Sequence, residues 1–475
     1  MQDPGGPKFS PGKRRQVLKT GAAIALGLPS AGARAQLGKV DITVDATQPG
    51  RSINPLVLGN NFDWTNRGQG MYVDSGMGHP PGWLGLADRL APTALRYPGG
   101  TNADFYRWKA GLGPIAQRGK VRSIEGKEDP VLLGTDEFLA FCRRWRSEPL
   151  ITVNVATAAP DEAADWVRYC NLRSGAEGPK VRYWEIGNEP YLDPSSPATA
   201  MTPAEFGRRA NACIRAMKAV DPTIECGIPL RTDMLGATKG TPFPGFNEAV
   251  LAQIQEPFEW AALHSSYFPV TFDKSESREA MYGATVSGSR VLQDDMERMR
   301  ALLRQRYPKR RMRLAYTEYN ALYSLDILRY GLAAVFLSKT DRYIESMAAA
   351  LYVADALRTM ALADDVLMAN YWAICGNWWF GAISHDHKPR PQFHVLEAWR
   401  NFTSGQVLPV AMTPPTMATG KCGFVPAYND TPQLAALALD QGGGGLRVLV
   451  INRHPTQAAN LRLRLNGRSQ GTLAM

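Results

Sequence analysis

Eight short apolar runs, separated by longer amphipathic stretches, fill the chain from about Pro55 to Thr403, and this alternation constrains the fold more than any other feature. The runs are Pro55 to Gly59, Ala94 to Tyr97, Leu150 to Val155, Val181 to Ile186, Glu225 to Ile228, Ala261 to Tyr267, Met312 to Tyr316 and Leu367 to Ala373. Between them, helical periodicity predicts helices over Thr135 to Arg146, Pro160 to Asn171, Thr202 to Val220, Ser289 to Tyr307 and Ser346 to Ala363. Two carry start signals: Thr135 with Glu137 behind it, and Thr202 followed by Pro203 and Glu205. Eight βα units in about 350 residues fit an α/β fold, a closed (β/α)8 (TIM) barrel with loop insertions, which places its chemistry at the C-terminal ends of the strands.

Beyond Pro409 the texture changes to strands and turns: Gln433 to Leu439, the glycines Gly442 to Gly445, Leu446 to Asn452 and Leu461 to Leu465. The expected organisation is a catalytic barrel over 50–404 and a small β-rich, sandwich-like module made of 405–475 with 36–49, to which Val40 to Val44 contributes a strand. No helix start follows the four glycines, so they are read as a hairpin rather than a phosphate loop.

Residues 1–35 read as an address rather than as structure. Lys13-Arg14-Arg15-Gln16-Val17-Leu18-Lys19 resembles a twin-arginine export signal, followed by a small, weakly apolar stretch and Ala33-Arg34-Ala35 as a cleavage site. A soluble periplasmic or secreted mature protein starting at Gln36 is expected. Half of the formal net charge of +10 sits in this leader. What remains forms no basic stripe with interleaved aromatics, which argues against a nucleic-acid partner. No later run is long and apolar enough to suggest a membrane span. The six cysteines lack zinc-site spacing and are read mostly as buried thiols, and His385, His387 and His394 lie in a Pro-containing loop without a carboxylate framework, so no metal or cofactor is expected.

Two carboxylates carry the chemistry. Trp184-Glu185-Ile186-Gly187-Asn188-Glu189-Pro190 is an apolar run that ends in an amide and a carboxylate, and Leu314-Ala315-Tyr316-Thr317-Glu318-Tyr319-Asn320 repeats the design. By strand count Glu189 follows the fourth strand and Glu318 the seventh, so a closed barrel sets them facing each other across its mouth. Glutamates at a separation of about 5–5.5 Å are what retaining glycoside hydrolysis needs, one as acid/base and one as nucleophile.

At this point the motifs resemble a known family. Leu95-Arg96-Tyr97-Pro98-Gly99-Gly100, Tyr106-Arg107-Trp108 before Gly111-Leu112-Gly113-Pro114, Gly134-Thr135-Asp136-Glu137-Phe138, Val153-Asn154, the Asp165-Trp166 and Tyr169 helix and the WEIGNEP segment follow one another in the order seen in family 51 α-L-arabinofuranosidases. These belong to the clan of retaining (β/α)8 glycoside hydrolases with catalytic residues on strands four and seven. The resemblance implies Glu189 as acid/base, Glu318 as nucleophile, Asn188 on the sugar 2-hydroxyl, Tyr267 and Arg96 keeping the nucleophile ionised, and Gly99 and Gly100 allowing close approach of sugar to backbone. Trp378, with Trp372 and Trp379 nearby, is a candidate sugar platform.

The chain departs from the pattern in places. Asp63 stands where the family has a glutamate that grips arabinose hydroxyls, Trp64 replaces a histidine, Thr317 replaces an aspartate, and the C-terminal module is short. A carbohydrate substrate follows from the resemblance, most simply an arabinose-containing oligo- or polysaccharide, and a homo-oligomer is possible. The alternatives are another activity of the clan, an endo-β-glucanase or β-xylosidase, and a non-catalytic carbohydrate-binding protein. A pocket closed by the loop Met71 to Gly82 favours exo cleavage, an open groove endo cleavage.

Overall fold

The computed structural model describes residues 36–48, 50–73, 78–124, 126–173, 178–191, 201–232, 243–264, 266–271, 275–324, 344–376 and 380–467. The leader at 1–35 and both Trp378 and Trp379 lie outside them.

Eight parallel strands close into a barrel: β1 Gly59–Asn61, β2 Ala94–Tyr97, β3 Glu148–Val153, β4 Tyr183–Ile186, β5 Glu225–Pro229, β6 Trp260–Leu263, β7 Arg313–Ser324 and β8 Val366–Tyr371. Each pairs with the next, β6 pairs with β7 through Leu314 opposite Ala261, and β8 returns to β1 through Asn370 opposite Gly59, so the ring has no free edge. A further short strand, Ser266–Thr271, continues outward from β6 and pairs with the distal half of β7. Helices cover the ring, among them Thr135–Trp145, Pro160–Asn171, Pro203–Val220, Arg278–Arg306 and Met347–Leu362.

Residues alternate across each strand, and the alternation sorts the barrel interior into layers. Leu150, Tyr183, Trp260, Ala262, Ala315 and Met368 form one apolar cluster inside the ring. Two residues further along the same strands stand Thr152, Glu185, His264 and Thr317, all buried, and Arg96 joins them from β2. Trp184 and Ile186 point the other way, into the larger core shared with the helices. The barrel therefore has a greasy floor and a polar layer above it.

Three differences from the sequence reading have local causes. Pro55 does not open a strand: Asn54 caps a 3-10 turn at Pro55–Val57, its side chain accepting from the Leu56 amide, and β1 begins only at Gly59. β7 runs on to Ser324 because its distal half finds a partner in Ser266–Thr271. The helix expected from Ser289 begins at Arg278, where the Ser277 hydroxyl caps the Ala280 amide.

At the other end, strand Gln36–Asp45 lies between Val410–Met412, antiparallel to it, and Ala458–Asn466, parallel to it. Leu434–Gly442 and Gly445–Asn452 form a hairpin, with Gly442, Gly443 and Gly444 at positive φ in its turn. Arg453, just past this hairpin, reaches the buried Asp355 on helix Met347–Leu362, which also binds Arg358 and Ser289 and so ties the β-rich strands to the barrel. All six cysteines are buried.

Candidate active site

The GNE segment leaves β4 through Gly187 at φ +83° and Glu189 at φ +40°. A positive φ is uncommon for a residue with a Cβ, and such conformations persist where surrounding contacts over-determine them. This turn buries Asn188 and aims Glu189 across the barrel mouth. Glu318 sits on β7 beyond Thr317 and is also largely buried.

Arg96 organises the centre. Its side chain is fully buried, and it donates from Nε to Glu185 at 2.6 Å, from Nη1 to Glu318 at 2.8 Å and to Asn61 at 3.1 Å, and from Nη2 to Asn188 Oδ1 at 2.8 Å. A buried guanidinium is tolerated only with its donors satisfied and its charge matched, and here two carboxylates raise its pKa against the cost of burial. The same contact orients Asn188: its oxygen must face Arg96, so its amide Nδ2 faces away, buried and without a hydrogen-bond partner among the described residues. A buried donor without a partner is costly unless something outside the protein supplies an acceptor.

His264, at the end of β6, joins the two glutamates. Its Nδ1 lies 3.0 Å from Glu189 Oε1 and 3.8 Å from Glu318 Oε1, which caps the gap between those oxygens at the sum of the two distances. That limit accommodates the retaining separation of about 5–5.5 Å. Nε2 of the same ring contacts the Thr317 hydroxyl at 3.0 Å. Burial works against a charged ring, but Glu318 and Glu189 outweigh it and push the His264 pKa up to about 10.

Two buried acids join this layer that the sequence reading did not single out. Glu185, in mid-strand, accepts from Arg96, from Thr152 at 2.6 Å and from Thr317 at 2.7 Å; burial opposes its charge, but Arg96, then His264, then Thr152 bring its pKa down to about 2. Asp104 is buried against the backbone of Asn188; burial, with the negative Glu189 and Glu185 nearby, raises its pKa well above the usual carboxylate range. The signal for Glu185 was the alternation Trp184-Glu185-Ile186, which turns a charge to the inside of a strand buried on both faces. His264 had no comparable signal, because its partners lie on other strands.

The remaining candidates divide. Asp63 is buried and engaged in its own turn: Oδ1 accepts from the Thr65 amide and hydroxyl, each at 2.9 Å, and Oδ2 from Asn102 at 3.0 Å, while burial lifts its pKa to about 6. Trp64 is fully buried and donates to the Asn102 carbonyl. Gly99 and Gly100 have φ +78° and +41°, and a Cβ would meet the Phe62 carbonyl at 2.4 Å from the first and the Trp372 ring at 2.7 Å from the second. Packing within the protein thus requires both glycines. Tyr267 lies in the strand Ser266–Thr271 opposite Asn320, but its side chain, like Trp378, falls outside the described residues. Of the loop Met71 to Gly82, the described part is held by His79, whose Nδ1 lies 2.7 Å from the Met71 carbonyl and whose ring stacks on Trp83.

Residues 86–234 match the family model of the α-L-arabinofuranosidase 1 domain. The intracellular exo-α-(1→5)-L-arabinofuranosidase of Streptomyces lividans is 24% identical over 409 residues, 81% of this chain and 59% of that protein. The enzyme of the same name from Acetivibrio thermocellus is 29% identical over 199 residues, 38% of each chain. The chain thus spans less than two thirds of the length of these curated relatives. Among solved structures, the α-L-arabinofuranosidase of Thermotoga maritima in its arabinose complex superposes with a TM-score of 0.73 at 24% identity, over 90% of this chain and 88% of that one. A family 44 xyloglucanase of Paenibacillus polymyxa superposes at 0.60 and 14% identity, over 91% of each chain. At these identities the structural likeness is one of fold.

Proposed function

We propose that this chain, a relative of the family 51 α-L-arabinofuranosidases, is a retaining glycoside hydrolase that releases L-arabinose from α-L-arabinofuranosides. The observation that carries the reading is the single cluster in which Arg96 binds both Glu318 and Asn188 while one imidazole nitrogen touches Glu189 and approaches Glu318. In the first step Glu318 attacks the anomeric carbon while Glu189 protonates the departing glycosidic oxygen. The Arg96 charge keeps the nucleophile ionised. The unpartnered Asn188 Nδ2 donates to the sugar 2-hydroxyl, a contact that strengthens as the ring approaches an oxocarbenium ion. In the second step Glu189, now a carboxylate, takes a proton from water, which attacks the glycosyl ester on Glu318 and regenerates the site.

The substrate is the finer part of the proposal. The names of the relatives support arabinofuranosides, whereas the xyloglucanase shares a fold and nothing closer. Hydrolysis of a panel of aryl α-L-arabinofuranoside, β-D-xyloside and β-D-glucoside by protein starting at Gln36 tests it. Preference for the arabinofuranoside is expected; cleavage of another sugar alone would keep the two-glutamate mechanism and reject the sugar. Export is proposed on the Lys13-Arg14-Arg15 signal, although the bacterial relatives cited are named intracellular. Arg14→Lys with Arg15→Lys is expected to strand the protein in the cytoplasm on cell fractionation, and unchanged export would refute the signal.

A further inference from the structure

Neither step of the double displacement uses Glu185, yet this carboxylate is fully buried four residues before Glu189 and accepts from Arg96, Thr152 and Thr317. We propose that Glu185 is a positioning residue for both catalytic carboxylates: it fixes Arg96 on one side and, through the Thr317 hydroxyl, the Nε2 proton of His264 on the other, so that Nδ1 of that ring is held against Glu189. The inference rests on the glycosidase reading for its catalytic consequence but not for its geometry.

The assignment follows from counting protons. Thr317 has one hydroxyl proton and gives it to Glu185 Oε1 at 2.7 Å, a charged acceptor that takes precedence over a neutral one. Its oxygen is then the acceptor for His264 Nε2 at 3.0 Å, so Nε2 must carry a proton. Nδ1 is left as the nitrogen whose protonation varies, and it lies 3.0 Å from Glu189. A proton held there stabilises Glu189 as a carboxylate, the state that must activate water. Among the described residues, the charged groups facing the ring are Glu185, Glu189 and Glu318, with Arg96 behind the first and third. Thr152 closes the arrangement, donating to the Glu185 oxygen that Arg96 also holds.

The test uses Thr317→Val, which removes the hydroxyl bridging Glu185 and His264, leaving their direct approach at 3.8 Å and the Arg96 contact, alongside Thr317→Ser and Glu185→Gln. Histidine labelled with 15N reports by NMR which ring nitrogen of His264 is protonated and at what pH the ring titrates, whether or not the protein turns over a substrate. Thr317→Val and Glu185→Gln are expected to lower the His264 titration by about one pH unit or more and, above that titration, to abolish the fixed Nε2–H tautomer of the neutral ring. In parallel, kcat for aryl glycosides with poor leaving groups should fall roughly tenfold or more, with a smaller loss on good leaving groups and a shifted pH profile. Thr317→Ser, which keeps the hydroxyl, should restore both readouts. A folded Thr317→Val protein with the parental tautomer and titration would overturn the proposal, and it decides the matter even where Glu185→Gln does not fold. A parent protein inactive on every glycoside would instead reject the function, leaving the NMR result to judge Glu185.

Discussion

Arg96 shows how a single residue ties stability to chemistry in this barrel. It neutralises Glu185 below and Glu318 above and turns the Asn188 amide nitrogen away from itself. The pair with Glu185 has a definite pH signature. Because Glu185 titrates near 2 in the folded state, below its ordinary 4.5, its contribution to stability is present above pH 4.5 and lost as pH falls through 2. Glu185→Gln should therefore be less stable than the parent at pH 7 in urea unfolding, with the gap narrowing from pH 4.5 downward; a gap independent of pH would refute the ion pair as its source. At Glu189, the proposed acid/base, Glu189→Ala should lower kcat by about 10²–10⁴-fold on poor leaving groups and far less on activated ones, with azide restoring part of the turnover. Equal loss on all leaving groups would show that Glu189 is not the acid.

At the scale of elements, the strands set what was readable. Ala94–Tyr97 and Glu225–Pro229 were legible because short apolar runs between amphipathic helices have few other homes. β1 was misplaced because Pro55 suits a strand start and a capped 3-10 turn equally, and only the Asn54 cap decides. Glu189 and Glu318 could be read because each ends an apolar run. Glu185 and His264 could not be assigned a role, because their partners Arg96 and Thr317 become neighbours only when the ring closes. The closeness of that ring is itself testable. A Cβ on Gly227 of β5 would lie 2.2 Å from the Trp260 ring on β6. Gly227→Ala should cost about 1–3 kcal/mol by overpacking, read by thermal unfolding, and an unchanged midpoint would mean that this junction is looser than described.

Over the whole molecule, the first described strand belongs to the last part of the chain. Gln36–Asp45 is the central member of a three-stranded sheet, with Ile42 and Val44 buried in it. A protein beginning at Gln36 keeps that sheet, whereas one beginning at Arg51 leaves two strands without their shared partner and exposes their edges. The shorter protein should melt at lower temperature and aggregate on heating, and equal melting of the two would separate this strand from the stability of the fold. The C-terminal module also explains why composition alone said little here: its residues are ordinary, and its architecture depends on a strand more than 350 positions away in the sequence.

The central claim is that Glu189 and Glu318 perform two successive displacements at one anomeric carbon. The most direct measurement is the stereochemical course of hydrolysis, following by 1H NMR the first sugar anomer released from an aryl α-L-arabinofuranoside before mutarotation. The account predicts α-L-arabinofuranose, the configuration of the substrate; the β anomer as first product would mean a single displacement by water and would contradict it.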